Sequence, residues 1–524
     1  MTKQTSNMDW KWQANWWYAT IFFSLPIFFL VNRKVRNRVV PLRWPVIGML
    51  PSLLINLYRL HDFMTSLLKE SGGTFMFEGP WFMGMDMMIT CDPTNAKHMF
   101  TTHFSNYIKG PDFPEIFDIL GDGIITADGE NWSKQRKMAN AHMSSHNFRS
   151  SVARNSRDKV ENAVLPLLGR MADLDRIFDL QDFMKRFAMD LVSKLVLGKD
   201  PSSLAEDFPM VPFVLAVGAA EEVLLYRHVV PKALWKLLRW LDVGEEKKMT
   251  KATNVIDGFI AQCIEERRND IKNRGREESK DILTSYMYHI LDTKEDDSYF
   301  GSDRFLRDTL MTLLAAGTDS SAAALSWFFW QVSKCPNVEK KILEELKEVR
   351  SSSKLDVDGE EEHMVVFDAE VTEGLVYLHA ALCETLRLYP SFPFNHKTAF
   401  KEDVLPSGHR VRPGTMVLYS IYSTGRLEKF FGKDCLEFKP ERWIDPSSGQ
   451  LKHVSSHDFL AFHTGQRSCI GKNMAMTQMK VIAAAMIYNF RVELVESCAV
   501  EPKNAMVLLM KNGLHVKIRK RDGP

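Results

Sequence analysis

Cysteine is scarce in this sequence and never paired. Seven stand among 524 residues (Cys91, Cys263, Cys335, Cys383, Cys435, Cys469 and Cys498), an odd number with no CxxC. That excludes a disulfide framework and fits a reducing compartment such as the cytosolic side of a membrane. Net charge is equally lacking: 67 Lys and Arg against 66 Asp and Glu leave +1. No dense basic run with interleaved aromatics appears in the body of the chain, so nucleic acid is excluded as the main partner. There is no internal repeat. The one low-complexity stretch is the acidic SSSKLDVDGEEEH at residues 351–363, read as a solvated loop. The remainder is ordinary globular material, 45% apolar and 25% charged, enough for a sizeable core.

Long uncharged runs are rare too, which sets one apart: WWYATIFFSLPIFFLV at residues 16–31. As a helix it reaches ~24 Å, a little short of the ~30 Å hydrocarbon core. Trp10, Trp12, Trp16, Trp17 and Tyr18 supply an interfacial aromatic belt. Arg33, Lys34, Arg36 and Arg38 follow the run, which places its C-terminal side in the cytosol. A cleaved signal peptide is the alternative, but it carries basic residues first and a small-x-small site, and residues 28–33 contain no small residue. Pro26 kinks the span without forbidding it. The expected organisation is a short tail (1–15), a transmembrane anchor (16–31) and a basic, proline-rich linker (32–51). One large domain (52–524) follows, since no composition shift divides it.

Beyond residue 90 helical punctuation dominates. The longest candidate helix covers residues 303–334, with Asp303 as cap and Pro336 as stop. Others cover 337–349, 372–389 (stopped by Pro390) and 472–488. Strand-like patches lie near 74–76, 87–90, 417–419, 506–509 and 514–518. The class is mainly α with small β-sheets.

The stretch AFHTGQRSCI at residues 461–470, followed by Gly471, carries a lone cysteine. Lone cysteines are usually small buried hydrophobes. Zinc would draw on His453, His457 and His463, yet zinc sites favour paired ligands at short fixed spacing and no second cysteine is near. A nucleophile needs a base and an oxyanion site, which the sequence does not place. The neighbours favour a fourth role. Gly465 permits a sharp turn, Arg467 supplies a fixed cation, and Gly471 lets backbone approach something flat and large. Cys469 precedes a helix beginning near Lys472, whose free N–H groups and dipole stabilise a thiolate. A thiolate in an open loop, with an arginine nearby for a carboxylate, suits an axial ligand of haem iron. The pattern Phe462-x-x-Gly465-x-Arg467-x-Cys469-x-Gly471 resembles the signature of the cytochrome P-450 family.

Further motifs follow in that family's order. Glu384 and Arg387 stand at i and i+3 on a helix made apolar by Leu378, Leu382 and Leu386, which favours a buried pair over a weak surface one. In the family this pair, with an arginine matched by Arg442 of PERW, locks the fold behind the haem. Trp132 and Arg136 of NWSKQRK resemble residues that hold a haem propionate. Lys397 of PFNHK stands where a further propionate cation is usual. The resemblance covers residues from about 41 onward and implies the haem-thiolate fold with haem b on Cys469. It also implies an endoplasmic-reticulum anchor with a cytosolic catalytic domain, and a hydrophobic small-molecule substrate. The implied electron donor is an NADPH-dependent flavoprotein reductase docking on the cysteine side, where Lys134, Lys137 and Lys472 offer positive charge.

Within the long helix stands Ala316-Gly317-Thr318-Asp319-Ser320-Ser321. A helical glycine costs ~1 kcal/mol against alanine. The reason is either close helix packing or, as the resemblance implies, room above the haem. Asp319 and Ser320 then form the acid–alcohol pair that delivers protons on the oxygen-activating side. The family usually has threonine where Ser320 stands. Thr318 cannot substitute, because two residues along a helix is a rotation of about 200°. Serine keeps the hydroxyl but loses the β-branch that pins χ1, so the relay is expected to work less tightly. Gln466 replaces a common proline in the cysteine loop, loosening it slightly.

Residues 405–443 resemble the plant clan that oxidises fatty acids and alkanes. WPVIGMLPSLL (44–54) and MFEGPWFMGMD (76–86) resemble its branch of mid-chain alkane hydroxylases, which also holds phenol-coupling oxidases of alkaloid synthesis. The expectation is hydroxylation of a long aliphatic substrate, with Phe392 and Phe394 placed where family members line the pocket. The alternative is oxidation of a plant alkaloid or other phenolic specialised metabolite, by phenol coupling or hydroxylation. A haem-thiolate isomerase or dehydratase, or a non-enzymatic haem binder, would not need the acid–alcohol pair. PKALWKLLRWL (231–241), with Trp235, Leu238 and Trp240 among basic residues, reads as a packed surface helix or as a second membrane contact.

Overall fold

The computed structural model describes residues 41, 43–81, 83–276, 281–293, 299–352, 364–495 and 499–521. The expected tail, anchor, half of the linker and most of the acidic stretch lie outside these. Among the described residues no helix is long and apolar enough to cross a membrane.

The helix Asp303–Lys334 has the predicted bounds but a different cap. Ser302, not Asp303, accepts the Phe305 N–H on its hydroxyl at 3.2 Å. Ala322, Ala323, Leu325, Trp327, Phe328 and Phe329 are all buried, so this helix is apolar around its circumference and runs through the core. It packs on Leu180–Leu197, Val376–Leu388 and Lys472–Asn489. The expected helix over 372–389 is two, Ala369–Glu373 and Val376–Leu388, parted at Gly374.

Among the described residues ten short strands complete the framework: β1 (Thr74–Phe77), β2 (Met87–Thr90), β3 (Tyr107–Ile108), β4 (Phe178–Asp179), β5 (Phe394–Ala399), β6 (Asp403–Val404), β7 (Arg410–Val411), β8 (Met416–Ser420), β9 (Phe490–Leu494) and β10 (His515–Lys520). One sheet has the order β1-β2-β8-β5-β3, with only β2 and β8 parallel. A second runs β4-β10-β9. Residues 506–509, expected as a strand, form a bend. Its backbone groups are taken elsewhere: the Leu508 N–H donates to the Ser391 carbonyl (2.8 Å), and the Leu508 carbonyl accepts the Trp327 indole N–H (2.7 Å).

The basic amphipathic stretch forms the helix Lys232–Trp240 and divides its tryptophans. Trp235 is buried, with the Arg227 and Arg239 guanidinium groups each 5.1 Å from its ring centre. Trp240 is 79% exposed and stands with Leu234, Leu237 and Leu241 on the open side.

Candidate active site

The cysteine loop is shaped by its backbone. Gly465 has φ +68°, and a Cβ there would lie 2.0 Å from the Phe100 carbonyl oxygen, so no larger residue fits. The Cys469 N–H donates to the Phe462 carbonyl at 2.7 Å, and the Gly471 N–H donates to the Cys469 sulfur. Gly471 is the N-cap of Lys472–Asn489, as the helix-terminus argument required. The thiol is nonetheless not pre-ionised. Burial pushes its pKa up, and this outweighs the Gly471 N–H, Arg136 and Lys472, which pull it down. The side chain itself is open to solvent, so the protein closes around the thiol while leaving it accessible. Metal ligation removes such a proton outright. His457 and His463 turn elsewhere, to Thr101 and Ser455 and to the Thr464 carbonyl.

Beside this loop lies a concentration of positive charge. The Arg467 guanidinium sits 4.5 Å over the Trp132 ring and donates to the Ala127 carbonyl (2.8 Å) and Asp128 Oδ1 (2.5 Å). The Lys109 N–H donates to the other Asp128 oxygen at 2.8 Å. Lys397 is 2% exposed, and its ammonium has no hydrogen-bond partner among the described residues; neither has Arg467 Nε. Burial, then Arg467, presses the Lys109 pKa down to about 7. Burial, with Lys109 and Arg467, holds Lys397 well below its usual range. Arg136 is also depressed by burial, its nearest compensation being the Cys469 sulfur. Lys109, Lys397 and Arg467 thus share one carboxylate, Asp128. Orphaned buried cations beside an accessible thiol fit the carboxylate edge and the iron of a haem. Lys109 and Asp128 carry no signal in the sequence, because Arg467, which acts on both, lies 339 residues beyond Asp128.

On the long helix, the Cβ direction of Gly317 is filled: a methyl there would meet Val192 at 2.9 and 3.1 Å. Contact with Leu180–Leu197 therefore accounts for the glycine, the simpler of its two expected reasons. Thr318 is buried, bonded to the Leu314 carbonyl at 2.8 Å and facing Met189. Asp319 is also buried. Lys185 Nζ lies 3.0 Å from its Oδ2 as an ion pair, off line for a hydrogen bond, and Glu221 hydrogen-bonds to it from the helix Pro212–Val229. Burial favours the neutral form of both acids. The Glu221 hydrogen bond and Lys185 outweigh this for Asp319 and hold it below its usual value, while burial and the Asp319 charge drive Glu221 well above its own. The surroundings thus favour the proton on Glu221 and the negative charge on Asp319. The Ser320 hydroxyl donates to the Ala316 carbonyl at 2.7 Å, and the Ser320 carbonyl accepts from Ser391 at 2.7 Å.

Glu384 and Arg387 are joined by two bonds of 2.7 and 2.8 Å in full burial. Arg442 (3.4 Å) and the Trp443 indole (2.8 Å) converge on the same carboxylate. Phe394 stacks on His61, with ring centres 5.2 Å apart and planes 24° apart, and packs toward β1 and β2. Phe392 is exposed.

Comparison with known proteins points the same way. The Cytochrome P450 family pattern matches residues 39–518. Noroxomaritidine synthase 2 of Narcissus aff. pseudonarcissus MK-2014 is 42% identical over 512 residues, covering 96% of this chain and 97% of that protein. Alkane hydroxylase MAH1 of Arabidopsis thaliana is 39% identical over 509 residues, covering 96% and 99%. Cytochrome P450 86B1 of Arabidopsis thaliana is 39% identical over 506 residues, covering 96% and 89%.

Proposed function

The chain belongs to the cytochrome P450 family and is a haem-dependent monooxygenase, and from that premise we propose that it oxidises a phenolic specialised metabolite. Members of the family carry haem b and generally take electrons from an NADPH-dependent P450 reductase. Bound haem supplies the activation of dioxygen and two carboxylates at its edge. Cys469 would hold the haem iron through its thiolate. Lys109, Arg136, Lys397 and Arg467 would neutralise the carboxylates, with Trp132 orienting Arg467. Ser320 presents a hydroxyl whose proton must leave the Ala316 carbonyl to act. Behind it, Asp319 keeps the accepting carboxylate and Glu221 keeps the proton that refills it. Lys185 holds the negative charge on Asp319 rather than on Glu221. Glu384, Arg387, Arg442 and Trp443 fasten the segments that follow the helix Val376–Leu388.

The observation that carries the substrate reading is the relative at 42% identity, a synthase named for a single product, ahead of the alkane hydroxylase at 39% over a similar span. This reverses the order of the two sequence-based expectations. Hydroxylation of a long aliphatic chain is the second reading, favoured by the likeness to the alkane hydroxylase. Turnover with reductase and NADPH of a panel of alkanes, fatty acids and phenolic alkaloid precursors tests it. Product from the phenolics is expected; product from the aliphatic members alone would overturn the proposal.

Location follows the same argument. Plant relatives in the family are generally microsomal, and we place the chain on the endoplasmic-reticulum membrane by residues 16–31. The open apolar side of Lys232–Trp240 adds a second contact, made by Trp240 and its leucines and not by Trp235.

A further inference from the structure

Two imidazoles that no step above uses meet inside the protein. His228 lies in the last turn of Pro212–Val229, and His396 lies on β5 beside Lys397. Their ring centres are 6.0 Å apart with planes at 76°. Phe113 stands 5.3 Å from His396 and Phe117 stands 5.3 Å from His228, the two phenylalanines stacked at 4.4 Å. His228 Nδ1 donates to the Leu224 carbonyl at 2.7 Å, which fixes the tautomer and leaves Nε2 as an acceptor. Neither His228 Nε2 nor either nitrogen of His396 has a hydrogen-bond partner among the described residues, and all three atoms are buried. Leaving buried polar atoms unpaired is costly, so a partner for them has a clear thermodynamic benefit.

The chemistry of the pair selects that partner. Burial lowers both pKa values, that of His396 to about 3 with His228, Lys109 and Lys397 adding to the effect, so both rings are neutral. The pair then offers one acceptor from His228, and one donor and one acceptor from His396. An alkane answers none of these. A hydroxyl answers a donor and an acceptor with one atom, and the two phenylalanines suit an aromatic ring carrying it. We propose that His228 and His396 form a hydroxyl-binding subsite that anchors an aromatic substrate by its O–H against Phe113 and Phe117. The neighbouring Lys397 belongs to the cation cluster that would meet the carboxylates of the haem. The proposal deepens the phenolic reading and rests on it.

The test uses the full chain with haem and spectral binding titrations of matched probes, 4-phenylphenol against biphenyl and dodecan-1-ol against dodecane. The hydroxylated member of the aromatic pair should bind about tenfold or more tightly. His228→Phe and His396→Phe should each remove about tenfold from 4-phenylphenol while leaving biphenyl within about twofold. His396→Gln, which keeps a donor and an acceptor, should retain part of the preference. The carbon monoxide difference band of each variant shows that the haem site is intact. No hydroxyl preference in either pair, or a preference that survives the double phenylalanine variant, would overturn the subsite and leave the histidines as packing groups or partners of a buried water. Preferential, histidine-dependent phenol binding with turnover confined to aliphatic compounds would keep the subsite and discard the phenolic reading. Phenol turnover indifferent to both histidines would do the reverse.

Discussion

Replacing Glu384 by glutamine changes one atom at the most heavily bonded carboxylate of the candidate site. Side-chain exposure is 0% for Glu384 and 1% for Arg387. Oε1 accepts from Arg387 Nη2 (2.8 Å), the Lys439 N–H (3.0 Å) and Arg442 Nε (3.4 Å); Oε2 accepts from Arg387 Nε (2.7 Å) and Trp443 Nε1 (2.8 Å). A glutamine must turn its NH2 toward one of these groups, so at least two donors face a donor. Each such buried donor costs ~1–3 kcal/mol. Breaking a buried ion pair from one side costs about 3–5 kcal/mol. The two figures describe the same event and are not summed. Arg387 keeps its bonds to the Gly425, Cys435 and Glu437 carbonyls, so the guanidinium is not stranded. The expected loss therefore lies at the lower end, about 3 kcal/mol. Urea unfolding in detergent, followed by tryptophan fluorescence and by the haem band, should show a lower midpoint with little change in slope. A loss under about 1 kcal/mol, the value of an exposed ion pair, would refute the reasoning. Arg387→Lys should fall between, since an ammonium cannot span the carboxylate and three carbonyls at once.

Cys469→Ala should abolish the red-shifted carbon monoxide band of thiolate ligation, while alanine at any of the other six cysteines should leave it; a histidine-type band in the unaltered protein would end that assignment. Ser320→Ala and Glu221→Gln should each raise peroxide released per NADPH oxidised, and Ser320→Thr should lower it or leave it level; unaltered coupling in all three would make these packing residues. Haem loading above pH 7 should take up protons at Lys109 and Lys397, more than offsetting the one that Cys469 gives up on ligation. Burial leaves Lys109 with a pKa of about 7 and holds Lys397 well below its usual range, and an anionic partner raises both. Haem affinity should then fall as pH rises above 7, while stability of the haem-free chain rises, because the unfolded lysines hold more protons there. Proton release on loading at pH 8, read with an indicator dye, would contradict this. In protein lacking residues 1–38, Trp240→Asp with Leu241→Asp should reduce pelleting with vesicles, whereas Trp235→Asp should instead destabilise the fold; unchanged pelleting would remove the second membrane contact.

The sequence by itself determined what depends on near neighbours. Gly465, Arg467, Cys469 and Gly471 belong to one loop, so the resemblance to the P450 signature, and the haem-thiolate chemistry it implies, is legible from near neighbours. The bounds of Asp303–Lys334 follow from a long apolar run and a proline just beyond it. Glu384 and Arg387 read as buried because their own helix is apolar. Tertiary structure decided what depends on the register between distant segments. Glu221 looks like an ordinary helical glutamate until packing of Pro212–Val229 brings it to Asp319 and Lys185. Lys109, Asp128, His228 and His396 have no pattern in their surroundings, since each acquires its role from a partner elsewhere in the chain. Trp235 and Trp240 lie on one amphipathic helix, and only the position of Arg227, Asp118 and Glu246 selects which turns inward. The helix beginning at Lys472 was expected to favour a thiolate at Cys469. The dipole and the Gly471 N–H act as expected, but burial, a property of the assembled fold, is larger and reverses the net direction. Local spacing fixes which groups can react; the dielectric and charge around them come from segments that meet only when the chain is folded.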